Sequence, residues 1–201
     1  MKARNFIDFL GVIEKLKCNT RHSWTSSGRQ ESVAEHSFRL AVMAMLCKDE
    51  YPELNINKVI KMCLIHDFGE AVTGDIPSFY KTDKNENDEN NAINYLLSLL
   101  PDTTQKELSD LFSEMSELKT PEAKLYKALD NAEAVISHNE ADISTWIPLE
   151  LELNLTYGEE NCQWSEWTKA LRDEIKKDTS KKIETANLNY QSLKSNEKGE
   201  V

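Results

Sequence analysis

His66 and Asp67 stand side by side in the stretch Met62-Cys63-Leu64-Ile65-His66-Asp67-Phe68-Gly69-Glu70, an otherwise largely apolar run. A carboxylate in such surroundings is paired, protonated or bound to a metal, because burying it alone is costly. Two further residues of the same chemical kind lie at a distance: His36 before the run and Asp130 after it. Two imidazoles and two carboxylates suit one divalent cation of borderline or moderate hardness, such as Mn, Fe, Co or Zn. Two coordination positions would remain for water and a phosphate oxygen, and metal-bound water is acidic enough to serve as a nucleophile near neutral pH. The alternative needs no metal: an imidazole hydrogen-bonded to a carboxylate, which Glu70, one turn after His66, can supply.

Helices must bring these residues together. Phe6, Phe9, Leu10, Ile13 and Leu16 recur at helical spacing and predict an amphipathic helix over 3–17, with a loop over 18–31. Ser32-Val33-Ala34-Glu35 has the capping-box form. The helix after it carries Val33, His36, Leu40, Met43 and Cys47 on one stripe, so His36 points inward. Asn57 is read as the cap of the next helix, whose inner face holds Val59, Met62, Cys63 and His66. Gly74 is read as its terminator. Residues 81–91 read as a solvated polar segment, followed by helical patterns at Ala92–Leu100 and Leu108–Met115. Thr120-Pro121 is an N-cap with proline at the first helical position. On that helix the main stripe is Leu125, Leu129, Ala132 and Ile136. Asp130 lies opposite, with Ala123, Tyr126 and Ala134, so a ligand at Asp130 requires a helix buried on both sides. Residues 140–163 read as loop and Trp164–Ile175 as a last helix. No strand pattern appears. The expected organisation is one all-α domain over 1–178 and a polar, partly disordered tail over 179–201.

Composition narrows the function. The chain has 201 residues, 39% hydrophobic and 29% charged, with a net charge of −11. Such a surface repels nucleic acid, and no basic stripe offsets it. No apolar run reaches the length of a membrane span. The N-terminal residues lack the apolar core of a signal peptide. Cys18, Cys47, Cys63 and Cys162 form no CxxC pair. The expectation is a reducing, cytoplasmic setting without disulfides.

The H…HD…D order of His36, His66-Asp67 and Asp130 resembles the HD-domain superfamily of metal-dependent phosphohydrolases, an all-helical fold. The segments Glu31-Ser32-Val33-Ala34-Glu35-His36-Ser37 and His66-Asp67-Phe68-Gly69-Glu70-Ala71-Val72-Thr73-Gly74-Asp75-Ile76-Pro77 resemble its 5′-deoxynucleotidase branch, over roughly residues 5–175 in element order. The resemblance implies a single HD-domain bundle with the metal at its centre, held by His36, His66, Asp67 and Asp130. It implies that Glu70 is the catalytic carboxylate and that Asp75 contacts substrate and assists the leaving hydroxyl. Ile76, Pro77 and Ser78 would line the nucleotide, beside His36 and Asp67. In the eukaryotic branch Glu70, Asp75 and the Ile76 carbonyl would hold a further cation. Arg21 matches a phosphate-contacting arginine, and Trp24 resembles a tryptophan that packs on the sugar. The spacing departs from the family here: its bacterial members place that tryptophan directly after the arginine, where this chain has His22. A homodimer is also implied.

No histidine lies between Asp67 and Asp130, which favours a mononuclear core site. His138 reads as a helix-end residue without a role. The function expected is removal of the 5′-phosphate from deoxyribonucleoside 5′-monophosphates, with a divalent cation (Mn, Co, Fe, Zn or Mg). The rivals are hydrolysis of nucleoside triphosphates or other phosphorylated metabolites, a non-catalytic ligand-sensing module, and a metal-free bundle. The few cations near the site (Arg21, Arg29, Arg39, Lys124, Lys127) lean towards a monophosphate.

Overall fold

The computed structural model describes the backbone of residues 1–197 and the side chains of residues 1–187. Helix α1 (Ala3–Ile13) tightens into a 3-10 turn at Glu14–Lys17. Strands β1 (Thr20–Trp24) and β2 (Gln30–Ser32) form an antiparallel hairpin, followed by α2 (Val33–Leu46) and α3 (Ile56–Ile65). A one-turn helix α4 (Glu70–Thr73) leads to α5 (Asp83–Ser98), α6 (Asp102–Glu117) and α7 (Pro121–Glu140). Short helices α8 (Glu150–Thr156) and α9 (Glu159–Cys162) precede the long α10 (Glu166–Glu197). Among the described residues no helix is long and apolar enough to cross a membrane.

The all-α reading holds apart from the hairpin. Its strands are polar (Thr-Arg-His-Ser-Trp and Gln-Glu-Ser), so no apolar alternation marks them in the sequence. The turn between them uses Gly28 at φ 83°, a left-handed conformation.

Helix α7 is the axis of the bundle and packs against α2, α3, α6, α9 and α10. It is buried on both sides: Leu125, Leu129 and Ala132 on one, Ala123 and Tyr126 on the other. His36 and Leu40 face it from α2, and Val59, Met62 and Cys63 pack from α3, while Val33 packs against Leu16 and Ala71. The capping box at Ser32 and Glu35 is formed, which fixes where α2 begins and so where His36 points.

Several local expectations need correction. Asn55, not Asn57, caps α3, its Oδ1 accepting from the Lys58 amide at 3.1 Å. In α1 only Phe9 is buried, and Leu16 in the following turn; Phe6 and Leu10 stay exposed. Residues 83–91 are helical, not loop. A second capping box, Thr82 with Asn85, starts α5, and Leu96 and Leu97 hold its far end against Phe9. The segment 140–163 contains α8 and α9. The boundary expected at 178 falls inside α10, which runs on to Glu197, with Thr179 fully buried and its hydroxyl 3.0 Å from Asn139 Oδ1. Residues 198–201 of the expected tail lie outside the described residues.

Candidate metal centre and cavity

Helix α3 ends at Ile65, and the two adjacent residues after it face one point. Inside a helix they would diverge by about 100°. Here His66 is the C-cap, still right-handed helical at φ −55° and ψ −37°, and Asp67 stands in the tighter turn before α4, from which its carboxylate reaches His66 Nε2 at 3.0 Å. Gly69 in that turn is required by packing: a Cβ there would lie 2.6 Å from Glu89 Cγ and 3.0 Å from the Glu89 carbonyl oxygen on α5. Gly74, at φ 77°, is a helix terminator, but of the separate one-turn α4 and not of the helix before His66, and Asn19 Nδ2 donates to the Glu70 carbonyl at 2.6 Å.

The four expected ligands converge. His36 Nε2 lies 3.3 Å from His66 Nε2, 3.2 Å from Asp130 Oδ1 and 4.0 Å from Asp67 Oδ2. His66 Nε2 lies 3.0 Å from Asp67 Oδ2 and 3.6 Å from Asp130 Oδ1. The opposite ring nitrogens are taken: His36 Nδ1 bonds Glu133 at 2.5 Å and His66 Nδ1 donates to the Cys63 carbonyl at 2.9 Å. With Nδ1 donating in both rings, the two Nε2 lone pairs point at one another. Only a cation or a proton between them relieves that crowding. The donor set therefore fits a divalent ion of the kind that takes imidazole and carboxylate together.

The electrostatics agree. Burial opposes ionisation of both aspartates, but the His66 ring holds Asp67 down at about 2, and Lys127, 2.8 Å from Asp130 Oδ2, holds Asp130 well below its ordinary value. Burial and Arg21 push the His36 ring down, yet its bonds to Asp130 and Glu133 prevail and hold it up at about 10, so without an ion a proton occupies Nε2 towards Asp130, and a bound cation would take that proton's place. Glu133 is fully buried and also accepts from Ser137 Oγ at 2.8 Å, with Arg21 Nη1 at 3.5 Å.

The cluster opens onto a cavity of about 370 Å³. Arg21, Asp75, Ile76, Pro77 and Ser78 line it as expected, with Glu70. Glu70 is 3% exposed and its Oε2 has no hydrogen-bond partner. Burial, then Asp67 and Asp75, pushes its carboxyl up to about 9, while burial raises Asp75 as well. Arg21 is held by Glu31 at 3.0 Å. Seven carboxylates line the cavity (Asp67, Glu70, Asp75, Glu86, Glu89, Asp130, Glu150) against the cations Arg21, Lys81 and Lys127.

Trp24 does not line this cavity. It sits at the end of β1 beside a small void shared with Trp146, while His22, one residue after Arg21, stands on the cavity wall instead. Arg29 and Arg39 are engaged elsewhere, with Glu35 and Glu140. His138 is no idle helix end, because it lines the cavity too. Sequence reasoning missed Glu133, Lys81 and Glu150. Glu133 had a signal, one helical turn after Asp130. Lys81, 3.7 Å from Glu70 Oε1, and Glu150 lie outside any periodic pattern that marks the site.

The chain is similar to known proteins. The HD domain family matches residues 13–172. The 5′-deoxynucleotidase HDDC2 of Bos taurus is 37% identical over 142 residues, covering 69% of this chain and 68% of that protein. The 5′-deoxynucleotidase hdd1 of Schizosaccharomyces pombe is 30% identical over 142 residues, covering 67% and 71%. Among solved structures, a predicted metal-dependent phosphohydrolase from Magnetospirillum magnetotacticum superposes with a TM-score of 0.74 at 28% identity, over 89% of this chain and 93% of that one. With the match running from the end of α1 into α10 and enclosing all four converging ligands, the chain belongs to the HD domain family.

Proposed function

We propose that this protein is a divalent-metal-dependent phosphohydrolase that removes the 5′-phosphate from deoxyribonucleoside 5′-monophosphates. The observation that carries the reading is the convergence of two Nε2 atoms, with their Nδ1 atoms engaged outward, between two ionised aspartates. The relatives named 5′-deoxynucleotidase supply the substrate class. The acidic cavity supports a cation independently, since a phosphate dianion would be repelled by its seven carboxylates alone.

His36, His66, Asp67 and Asp130 would hold the ion, and its identity among Mn, Co, Fe, Zn and Mg follows availability as much as ligand type. When bound, it supplies Lewis acidity to a phosphate oxygen and to water. Arg21 and Lys127 offset phosphate charge from the cavity wall. Glu70 takes the proton of the attacking water at its unpartnered Oε2, because Lys81 at 3.7 Å, together with a cation held beside Asp67, would offset the burial and acidic neighbours that raise its carboxyl. Asp75 serves the leaving hydroxyl. Ile76, Pro77 and Ser78 shape the wall beside the sugar; Trp24, away from the cavity, has no part in this scheme. With three cations on the wall, a monophosphate is better matched than a triphosphate.

A phosphate-release screen over deoxyribonucleoside and ribonucleoside mono- and triphosphates, with Mn, Co and Mg, tests the proposal. Release from deoxyribonucleoside monophosphates, abolished by chelator, is expected. Triphosphate cleavage in their place would overturn it. Glu70→Gln should keep its metal while kcat falls by about 10²- to 10⁴-fold; full turnover would remove Glu70 from its role.

A further inference from the structure

The cavity has a second polar end that the phosphate chemistry leaves unused. His22, His138, Glu150 and Asn154 form it, with Phe79 and Leu153 as apolar neighbours. His138 is fully engaged there: Asn154 Nδ2 donates to its Nδ1 at 3.1 Å, and its Nε2 donates to the His22 carbonyl at 3.1 Å. Burial pulls its pKa down, which keeps the neutral ring that this pattern requires.

Glu150 is different. It is 1% exposed, and its Oε2 accepts from the Ile147 amide at 2.8 Å. Its Oε1 has no hydrogen-bond partner, and neither does His22 Nε2. The two atoms are 3.1 Å apart but off the line that a hydrogen bond needs. Buried polar atoms are rarely left so, and each orphan calls for a reason. A ligand presenting a donor beside an acceptor would satisfy both, with Glu150 accepting and the Nε2–H tautomer of His22 donating.

Position says which part of a nucleotide arrives there. Helix α7 carries both Asp130 and His138, and eight residues of helix rise about 12 Å. A nucleotide whose phosphate sits at the Asp130 level therefore extends its base towards His138. Every common nucleobase carries an N–H donor next to an N or O acceptor on its Watson–Crick edge, the edge by which enclosed bases are read.

We infer that Glu150 Oε1 and His22 Nε2 form a nucleobase subsite that registers the presence of a base more than its identity. This deepens the nucleotidase reading and rests on it. Phe79, whose ring meets the His22 ring edge-on at a centroid distance of 5.9 Å, adds an apolar surface beside the subsite.

The test compares kcat/KM for deoxyribonucleoside 5′-monophosphates with that for 2-deoxyribose 5-phosphate, which has no base, on the metal-loaded protein. The unaltered protein should favour the nucleotides by at least about tenfold. Glu150→Gln and His22→Phe should each shrink that ratio by on the order of tenfold. Should Glu150→Gln fail to fold, His22→Phe decides alone, since the His22 side chain is 29% exposed and tolerates exchange. A ratio unchanged in the folded variants, or an unaltered protein that cleaves both substrates alike, overturns the subsite and leaves the nucleotidase standing. Cleavage of neither substrate overturns both.

Discussion

The four histidines of this chain form two pairs with opposite chemistry. The rings of His36 and His66 lie 5.2 Å apart, those of His22 and His138 6.4 Å apart, and both pairs face the same cavity. In the first pair both Nδ1 atoms are engaged outward, with Glu133 and the Cys63 carbonyl, so both Nε2 atoms converge. In the second, His138 uses both nitrogens within the protein. Residue type does not separate a ligand from a wall residue. What separates them is whether free ring nitrogens converge: those of His36 and His66 do, whereas His138 has none to spare and His22 Nε2 stands beside Glu150.

The contrast can be broken most severely at the first pair. Asp130→Asn should remove bound metal, measured by elemental analysis, and lower phosphate release by more than the roughly 10- to 100-fold expected when a group behind a ligand is lost. Retention of stoichiometric metal and activity would show that the four residues are not one site. Glu133→Gln comes next. It keeps the shape of the partner to His36 Nδ1 but weakens its hold, so metal affinity should fall by about 10- to 100-fold in a chelator titration. An unchanged affinity would mean that the ring needs no such partner. The mildest effect belongs to the second pair. His138→Ala should leave metal content at that of the unaltered protein and cost about 1–3 kcal/mol of stability in denaturant unfolding, through the polar groups it strands. Loss of metal from this variant would collapse the distinction between the pairs.

The meeting of His36 and His66 was readable in advance for a physical reason. Burying His36 on an apolar stripe, and setting His66-Asp67 in an apolar run, are costly choices that only a partner or a metal offsets. The double burial of α7 also followed, because Asp130 could reach the centre in no other way. Helix starts were legible where side chains cap locally, as at Ser32 with Glu35 and at Thr120 with Pro121. Residues 83–91 misled because their polar face is solvated in coil and helix alike. Phe9, about eighty residues earlier, helps to hold the far end of that helix. Trp24 misled for the reverse reason: its place was carried over from the family resemblance, whereas the hairpin is irregular in register between Thr20 and Trp24, so Arg21, His22 and Ser23 all reach the cavity wall and Trp24 lies beyond it.

By itself, the sequence determined the inventory and its local settings: two imidazoles, two aspartyl groups, the caps that start their helices, and the glycine that ends α4. Those depend on neighbours a few residues away. The tertiary structure alone decided which nitrogen of each ring is free, that Glu133 stands behind His36 across 97 residues of chain, and that Glu150 on the cavity wall keeps an unpartnered oxygen. Such choices are made by contacts between distant segments, and a hydrogen bond worth about 1 kcal/mol forms only where packing has already brought its partners together.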